Sequence, residues 1–290
     1  MSERTGSGDS ARKRSRPAKK TAIVTGASSG IGEATAEALA TDGLAVVLAA
    51  RRVEKLDSLA ARIESIGGDA LVVPTDMTVE SDLVSLVETV IDECGRIDVL
   101  VNGAGFGLYG SVEETPIDEA RHQFEVNLFG LARLTQLVIP HMREAGRGTI
   151  INISSMGGKI WTPFGAWYHA TKHALEGWSD CLRYEVAPHG IDVVVIEPGS
   201  IDTEWGDIMF DGLLERSGDG PYAELVHEFV NSNRAGSGSD PTVVATTIRN
   251  AVRATNPNPR YAVGAYAKPL IGLRRFGGDR VYDRVVEYLL

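Results

Sequence analysis

The chain has 290 residues, 43% of them hydrophobic and 23% charged, with a formal net charge of −10. That length can bury one large α/β core, and no interior linker divides it, so a single domain over 21–290 is expected. The first twenty residues carry seven Lys or Arg against two acids, which leaves about −15 on the remainder and argues against a nucleic-acid-binding body.

No apolar run is long enough to span a bilayer, and the N-terminus lacks the apolar centre of a secretory signal, so a cytoplasmic protein without stable membrane insertion is expected. Cys94 and Cys181 give neither a disulfide framework nor metal spacing. Both read as small core residues of predicted helices.

Residues 1–20, MSERTGSGDSARKRSRPAKK, read as a basic, disordered tail. Beyond them, short β-branched runs alternate with longer helical stretches, the pattern of βαβ units and a parallel sheet. Strands are predicted at 21–25, 44–50, 70–75, 97–102, 148–154, 191–198 and 260–264. Helices are predicted at 31–42, 53–66, 79–94, 117–144, 166–187 and 241–254. Several strands are apolar on both faces, as strands covered from each side must be. Right-handed crossovers then give a doubly wound, Rossmann-like α/β sheet of about seven strands with helices on both faces.

Residues 200–240 are too long for an ordinary connection and hold Trp205, Met209, Phe210, Leu213 and Phe229, which suggests a substrate lid. The extension near 265–290 mixes apolar and basic residues but is interrupted at Gly277-Gly278. Docking against the lid or a partner subunit is therefore expected, rather than one continuous helix on a membrane surface. Trp161, Phe164, Trp167, Trp205, Met209 and Phe210 are candidates for an apolar or aromatic substrate wall.

The first strand runs into TGASSGIG, placing Gly26, Gly30 and Gly32 between strand and helix, with Ser28, Ser29 and Ile31 among them. Glycines there permit a tight turn and close approach to a pyrophosphate, whose charge the helix N-terminus attracts. No Gly-Lys-Ser/Thr follows, which argues against a triphosphate P-loop. After the second strand, Ala50 stands where an acid would favour NAD, and Arg51 and Arg52 follow. A guanidinium pairs bidentately with a 2′-phosphate, so NADP is the expected cofactor.

TGASSGIG together with Tyr168-His-Ala-Thr-Lys172 resembles the short-chain dehydrogenase/reductase family over residues 20–264. Further ordered matches are Asp76, Asn127, Ser155 thirteen residues before Tyr168, Pro198-Gly199 and Thr203. One departure is Asn102-Gly103-Ala104-Gly105, where the family usually has Asn-Asn-Ala-Gly. The resemblance implies cofactor contact at Asn102, Ala104 and Gly105. It also implies hydride transfer between nicotinamide and a ketone, aldehyde or secondary alcohol, and a homodimer or homotetramer. The C-terminal extension makes the chain look more like members acting on lipophilic substrates, including hydroxysteroid dehydrogenases.

The resemblance makes Asn127, Ser155, Tyr168 and Lys172 the catalytic set. An unperturbed phenol titrates near ~10 and is poorly matched to proton exchange at neutral pH. A cation one turn away on the same helix face is expected to pull it down, and Lys172 is so placed. In the family this lysine also holds the nicotinamide ribose, and the asparagine holds a water in a proton relay. Strand alternation sends Ser154 and Ser155 to opposite faces. Ser155 is expected to hold the substrate oxygen. His169 and His173, at i and i+4, flank this face with no third ligand at matching spacing, and packing or hydrogen bonding is expected of them. The competing reading is a catalytically silent NADP-binding redox sensor or scaffold, but the intact four-residue set favours an enzyme.

Overall fold

The computed structural model describes residues 19–234 and 238–289. The basic tail expected over 1–20 lies outside the described residues up to position 18.

In chain order the elements are β1 (Thr21–Thr25), α1 (Gly30–Thr41), β2 (Ala45–Ala50), α2 (Val53–Ser65), β3 (Asp69–Pro74), α3 (Glu80–Cys94) and β4 (Val99–Asn102). Next come α4 (Ile117–Phe124), a π-helical turn (Glu125–Gly130), α5 (Leu131–Ala145), β5 (Gly148–Ile153), α6 (Ala166–Val186) and β6 (Ile191–Pro198). The last are α7 (Glu204–Ser217), α8 (Ala223–Asn233), α9 (Pro241–Arg253), β7 (Arg260–Val263), α10 (Ala267–Gly277) and α11 (Asp279–Leu289).

The seven strands form one parallel sheet in the order β3-β2-β1-β4-β5-β6-β7. Side chains alternate between its two faces, as the two-residue period of a strand demands. Ala22, Val24, Val46, Leu48, Val99, Val101, Ile151 and Ile153 face Leu39, Leu56, Leu59, Ile63, Val244 and Ile248 of α1, α2 and α9. Ile23, Val47, Leu100, Ile150 and Val193 face Leu83, Leu86, Val90, Leu134, Val138 and Leu182 of α3, α5 and α6. Each fully buried Leu or Ile contributes about 1.5–3 kcal/mol relative to exposure. The crossovers leave in opposite directions from β1 and β4, and this switch point opens a crevice at the carboxyl ends of the strands.

Three expectations need correction. Residues 117–144, expected as one helix, contain the π turn. Gly130 allows its close packing, since a Cβ there would lie 2.1 Å from the Met77 carbonyl oxygen. Cys181 is exposed on α6 and not in the core, while Cys94 is half-buried. The C-terminal hairpin α10–α11, expected on the lid or a partner subunit, packs within the chain on the segment after β5 and not in the apolar cluster of α7–α8. Its Tyr282 and Val286 pack with Ile160 and Met156, just beyond Ser155, and the Tyr282 hydroxyl donates to the Trp161 carbonyl at 2.9 Å.

Candidate active site

At the end of β1, Gly26 and Gly30 adopt left-handed backbone (φ 69° and 56°), which a side chain would strain. A Cβ on Gly32 would sit 2.2 Å from the Gly26 carbonyl oxygen, so α1 can approach the turn only with glycine there. A Cβ on Gly26 would meet the Gly103 oxygen at 2.7 Å, and one on Gly103 would meet the Thr25 oxygen at 2.7 Å. The departure from Asn-Asn-Ala-Gly thus has a local reason: the two glycine segments lie backbone to backbone. Thr25 Oγ1 ties them, accepting from the amides of Gly103 (3.0 Å) and Ala104 (3.2 Å).

Ser29 caps α1 without a side-chain hydrogen bond, so no cap occupies the first-turn amides. Free amides at a helix N-terminus, in a cradle kept clear of side chains, fit a pyrophosphate. Ile31, half-buried, packs on the core at the foot of this turn. Across from it Thr203 starts α7, and a Cβ on Gly30 would lie 3.0 Å from its methyl group. Pro198 ends β6. At Gly199 a Cβ would lie 1.9 Å from the Ala265 oxygen, so only glycine lets the chain pass there.

The two arginines after β2 diverge. Arg52 reaches back to the glycine turn, donating from Nε to Ser28 Oγ at 3.2 Å and from a terminal nitrogen to Ser29 Oγ at 2.6 Å. Arg51 is exposed and makes neither bond; its charge acts on Asp76. The Asp76 carboxyl is held below its ordinary range, first by the Thr78 amide, which donates to it at 2.9 Å. The Asn102 side chain, from which cofactor contact was expected, turns into the core instead. It is buried and donates to Thr135 Oγ1 (3.0 Å) and Asn152 Oδ1 (2.9 Å), and Asn152 donates on to Ser179 Oγ (2.9 Å). Its contribution there is to hold β4, β5, α5 and α6 together.

Four residues converge beyond this turn. Tyr168 and Lys172 lie one turn apart on α6, both buried. Ser155, in extended backbone (φ −167°, ψ 160°) just past β5, accepts from the Gly157 amide at 3.0 Å and lies near enough to the Tyr168 hydroxyl to favour its ionised form. Lys172 Nζ donates to the Ile153 carbonyl at 2.9 Å and stands 5.8 Å from the centre of the Tyr168 ring. Asn127 sits fully buried in the π turn. It accepts from the Phe106 amide at 3.0 Å and donates to the Phe106 carbonyl and Thr171 Oγ1 at 2.9 and 3.2 Å. Gly105 makes room between them, since a Cβ there would lie 3.1 Å from Asn127 Oδ1 and 3.8 Å from Lys172 Nζ.

Burial, not the lysine, dominates the phenol. It pushes Tyr168 up from its ordinary value; Ser155 opposes this, and Tyr109 adds to it. Lys172 does not offset this burial in the resting site, and burial acts on that group too, lowering the ammonium to about 8 against the opposing charge of Glu176.

Above Tyr168 stands an aromatic roof. The Trp205 ring lies 5.2 Å from the Tyr168 ring and edge-on to Tyr109 at 6.3 Å. Met209, Phe210 and Phe229 pack behind, with Phe164 half-buried among them. Trp161 and Trp167, also expected in this wall, lie elsewhere: Trp161 packs edge-on against Tyr282, and Trp167 lines a shallow surface hollow with Ile117, Phe124 and Phe129. Tyr109 and Gly107 were missed. A Cβ on Gly107 would lie 2.3 Å from the Trp205 ring, and the run Gly105-Phe-Gly-Leu-Tyr-Gly110 directly after β4 is the signal that could have shown them.

His169 is buried and accepts at Nε2 from the Thr162 amide (2.9 Å), so its proton resides on Nδ1, which donates to the Gly157 carbonyl (2.9 Å). It pins the loop after Ser155 onto α6, and burial lowers its basicity. His173 Nδ1 bonds to the His169 carbonyl. Among the described residues no cluster of three His, Cys, Asp or Glu could hold a metal.

Residues 20–211 match the family model for short chain dehydrogenase. The chain belongs to the short-chain dehydrogenase family. It is 35% identical over 273 residues to a 3-ketodihydrosphingosine reductase of Bacteroides thetaiotaomicron, covering 92% of this chain and 95% of that one. A short-chain dehydrogenase from Streptomyces avermitilis superposes with a TM-score of 0.79 at 35% identity, covering 94% and 97% of the two chains. An actinorhodin polyketide ketoreductase with NADPH has a TM-score of 0.73 at 30% identity (83% and 94% covered). A 7α-hydroxysteroid dehydrogenase with NADH and 7-oxo glycochenodeoxycholic acid has 0.71 at 27% (83% and 91%). The chain is thus an oxidoreductase, and two of these solved structures hold NADPH and NADH. No helix among the described residues is long and apolar enough to cross a membrane.

Proposed function

We propose that this short-chain dehydrogenase is an NADP(H)-dependent reductase of a ketone or aldehyde, interconverting it with the alcohol. The observation that carries the reading is the convergence of Ser155, Tyr168, Lys172 and Asn127 from three separate segments, the loop after β5, α6 and the π turn, at the carboxyl end of the sheet. Chance packing has little reason to place a buried ammonium beside a buried phenol.

NADPH would be held by the glycine turn at Gly26, Ser28, Ser29, Gly30, Ile31 and Gly32, by Arg52 and Arg51, and by Asp76, Ala104, Gly105, Pro198, Gly199, Thr203, Tyr168 and Lys172. Bound there, it supplies the hydride. The protein's own part concerns the proton. Ser155 and the Tyr168 hydroxyl converge on one point, where a carbonyl oxygen would accept two hydrogen bonds and be fixed in orientation. Tyr168 delivers its proton to that oxygen as charge develops. The buried Lys172 stabilises the phenolate left behind, in a site where the dielectric no longer weakens the pairing. Asn127 holds the 106 backbone against this centre, and the roof of Trp205, Phe210 and Phe229 excludes water and favours an apolar substrate.

NADP is preferred because Ala50 supplies no acid for a ribose diol, while Arg52 is already fixed at the glycine turn by two serines. The test is NADPH oxidation over ketones graded from small aliphatic to steroid size. Turnover that rises with apolar bulk and is at least tenfold better with NADPH than NADH is expected. No turnover with any carbonyl would overturn the reading.

A further inference from the structure

Arg52 has three nitrogens, and all three are engaged. Nε and one terminal nitrogen bond to Ser28 and Ser29, which fixes the plane of the guanidinium; the other terminal nitrogen donates to Glu204 Oε2 at 3.0 Å. Lys55 Nζ stands 3.8 Å from the other oxygen of the same carboxylate. One acid therefore sits between two cations flanking the glycine turn and leaves them a net positive charge, and Arg52 foremost lowers its carboxyl below the ordinary range. Glu204 is not part of the adenosine-binding strand ends. It is the first residue of α7, directly after Thr203 and before Trp205.

We propose that Glu204 is a specificity-determining residue: its carboxylate occupies the guanidinium face that a 2′-phosphate needs, and the phosphate must displace it. The proposal rests on the NADP reading above. Two facts give it content. First, Arg52 presents five N–H donors in a rigid fork, of which Ser28, Ser29 and Glu204 take three, so a phosphate that engages the edge turned to Glu204 must compete with the carboxylate for it. Second, the side chains of Arg52 and Glu204 are 47% and 50% exposed. A pair so open to water is weak, whereas phosphate engages arginine bidentately with greater charge, so the exchange favours phosphate. Glu204 thereby lowers the affinity for 2′-phosphorylated nucleotides without abolishing it, and leaves nucleotides lacking that phosphate nearly untouched.

The test measures binding of adenosine 2′,5′-bisphosphate and of 5′-AMP to the full chain by calorimetry at one low ionic strength. The variants are Glu204→Gln and Glu204→Asp, with thermal unfolding as a check on folding. In Glu204→Gln the ratio of the two affinities is expected to rise in favour of the bisphosphate by about two- to fivefold, the range set by an exposed ion pair. Glu204→Asp, which keeps the charge, is expected to stay close to wild type. An unchanged ratio in Glu204→Gln, or an equal rise in both variants, would overturn the proposal. Failure of the NADP reading is distinguishable, because wild-type protein would then bind the two nucleotides equally.

Discussion

The two ends of the crevice use opposite physics. At the end proposed for the adenosine, Arg51, Arg52, Lys55 and Glu204 are open to water and act through charge. At the other end Tyr168, Lys172, Asn127 and Tyr109 are all buried, and their behaviour follows from desolvation; burial takes even the Tyr109 phenol up to about 12. Exposed pairs contribute on the order of 1 kcal/mol or less and weaken with salt, while buried groups shift by several times that. On the proposed reading, cofactor choice is adjustable by surface charges with little effect on the chemistry assigned to the dry end.

The largest effect should follow from removing the proton carrier. Tyr168→Phe keeps the ring against Trp205 and deletes only the hydroxyl, so NADPH binding by fluorescence titration should persist while kcat falls about 10²–10⁴-fold. Ser155→Ala should lower kcat nearly as far. Unchanged turnover in Tyr168→Phe would break the assignment of the dry end to proton transfer.

Lys172 gives a stability signature. Its folded value is depressed to about 8 from an ordinary 10.5. Below pH 8 the ammonium is charged in both states, and the folded protein bears the whole burial cost. Between about 8 and 10.5 the unfolded chain binds more protons, so stability rises with pH through this window. Lys172→Met removes the cost, so its stability relative to wild type should fall by about 2 kcal/mol from pH 7 to pH 9.5 in urea unfolding. A constant difference would show that Lys172 is not desolvated.

At the charged end, Arg52→Ala should raise the KM for NADPH about 10- to 100-fold, the range for charge-assisted bonds, and leave that for NADH within a few-fold. Arg51→Ala should do the same more weakly, because Arg51 makes no bond to the glycine turn. Added salt should weaken NADPH more than NADH in wild type and erase that difference in Arg52→Ala.

The same contrast explains how much could be read from the residues. All seven strands and the six longer helical regions are legible, because the sheet buries both faces and leaves a continuous apolar signal from Ile23 to Ile196. That Ser155, Tyr168 and Lys172 lie together is legible through the resemblance to the family's motif spacing. What escapes is set by tertiary packing. The π turn holding Asn127 differs from an α-helix by one residue per loop of hydrogen bonds, which apolar periodicity does not record. The helices α7 and α8 pack on each other and on Tyr168 rather than on the sheet, so Met209, Phe210, Val226 and Phe229 read only as apolar content in a long connection. Trp161 and Trp167 were grouped with Trp205 by composition, yet each faces a different neighbour.

The roof joins the two ends, and Trp205→Ala should separate their effects. Opening the space over Tyr168 should leave the KM for NADPH unchanged. It should shift preference toward bulkier ketones by about tenfold, the discrimination available from a few methylenes in an apolar pocket. Equal changes for small and bulky ketones would mean that the roof guards the site without shaping it.

The smallest effect is the sharpest control. Ser154 and Ser155 are adjacent and chemically identical, and extended backbone turns them to opposite sides. Ser155 accepts from the Gly157 amide and acts on Tyr168, whereas Ser154 Oγ is buried with no hydrogen-bond partner among the described residues. An unsatisfied buried hydroxyl costs stability that its removal returns. Ser154→Ala should therefore leave kcat within about twofold and leave stability unchanged or raise it by about 1 kcal/mol in urea unfolding. A large loss of turnover in Ser154→Ala would mean that the dry end recruits both faces of β5, and the division between a catalytic serine and a packing serine would fail.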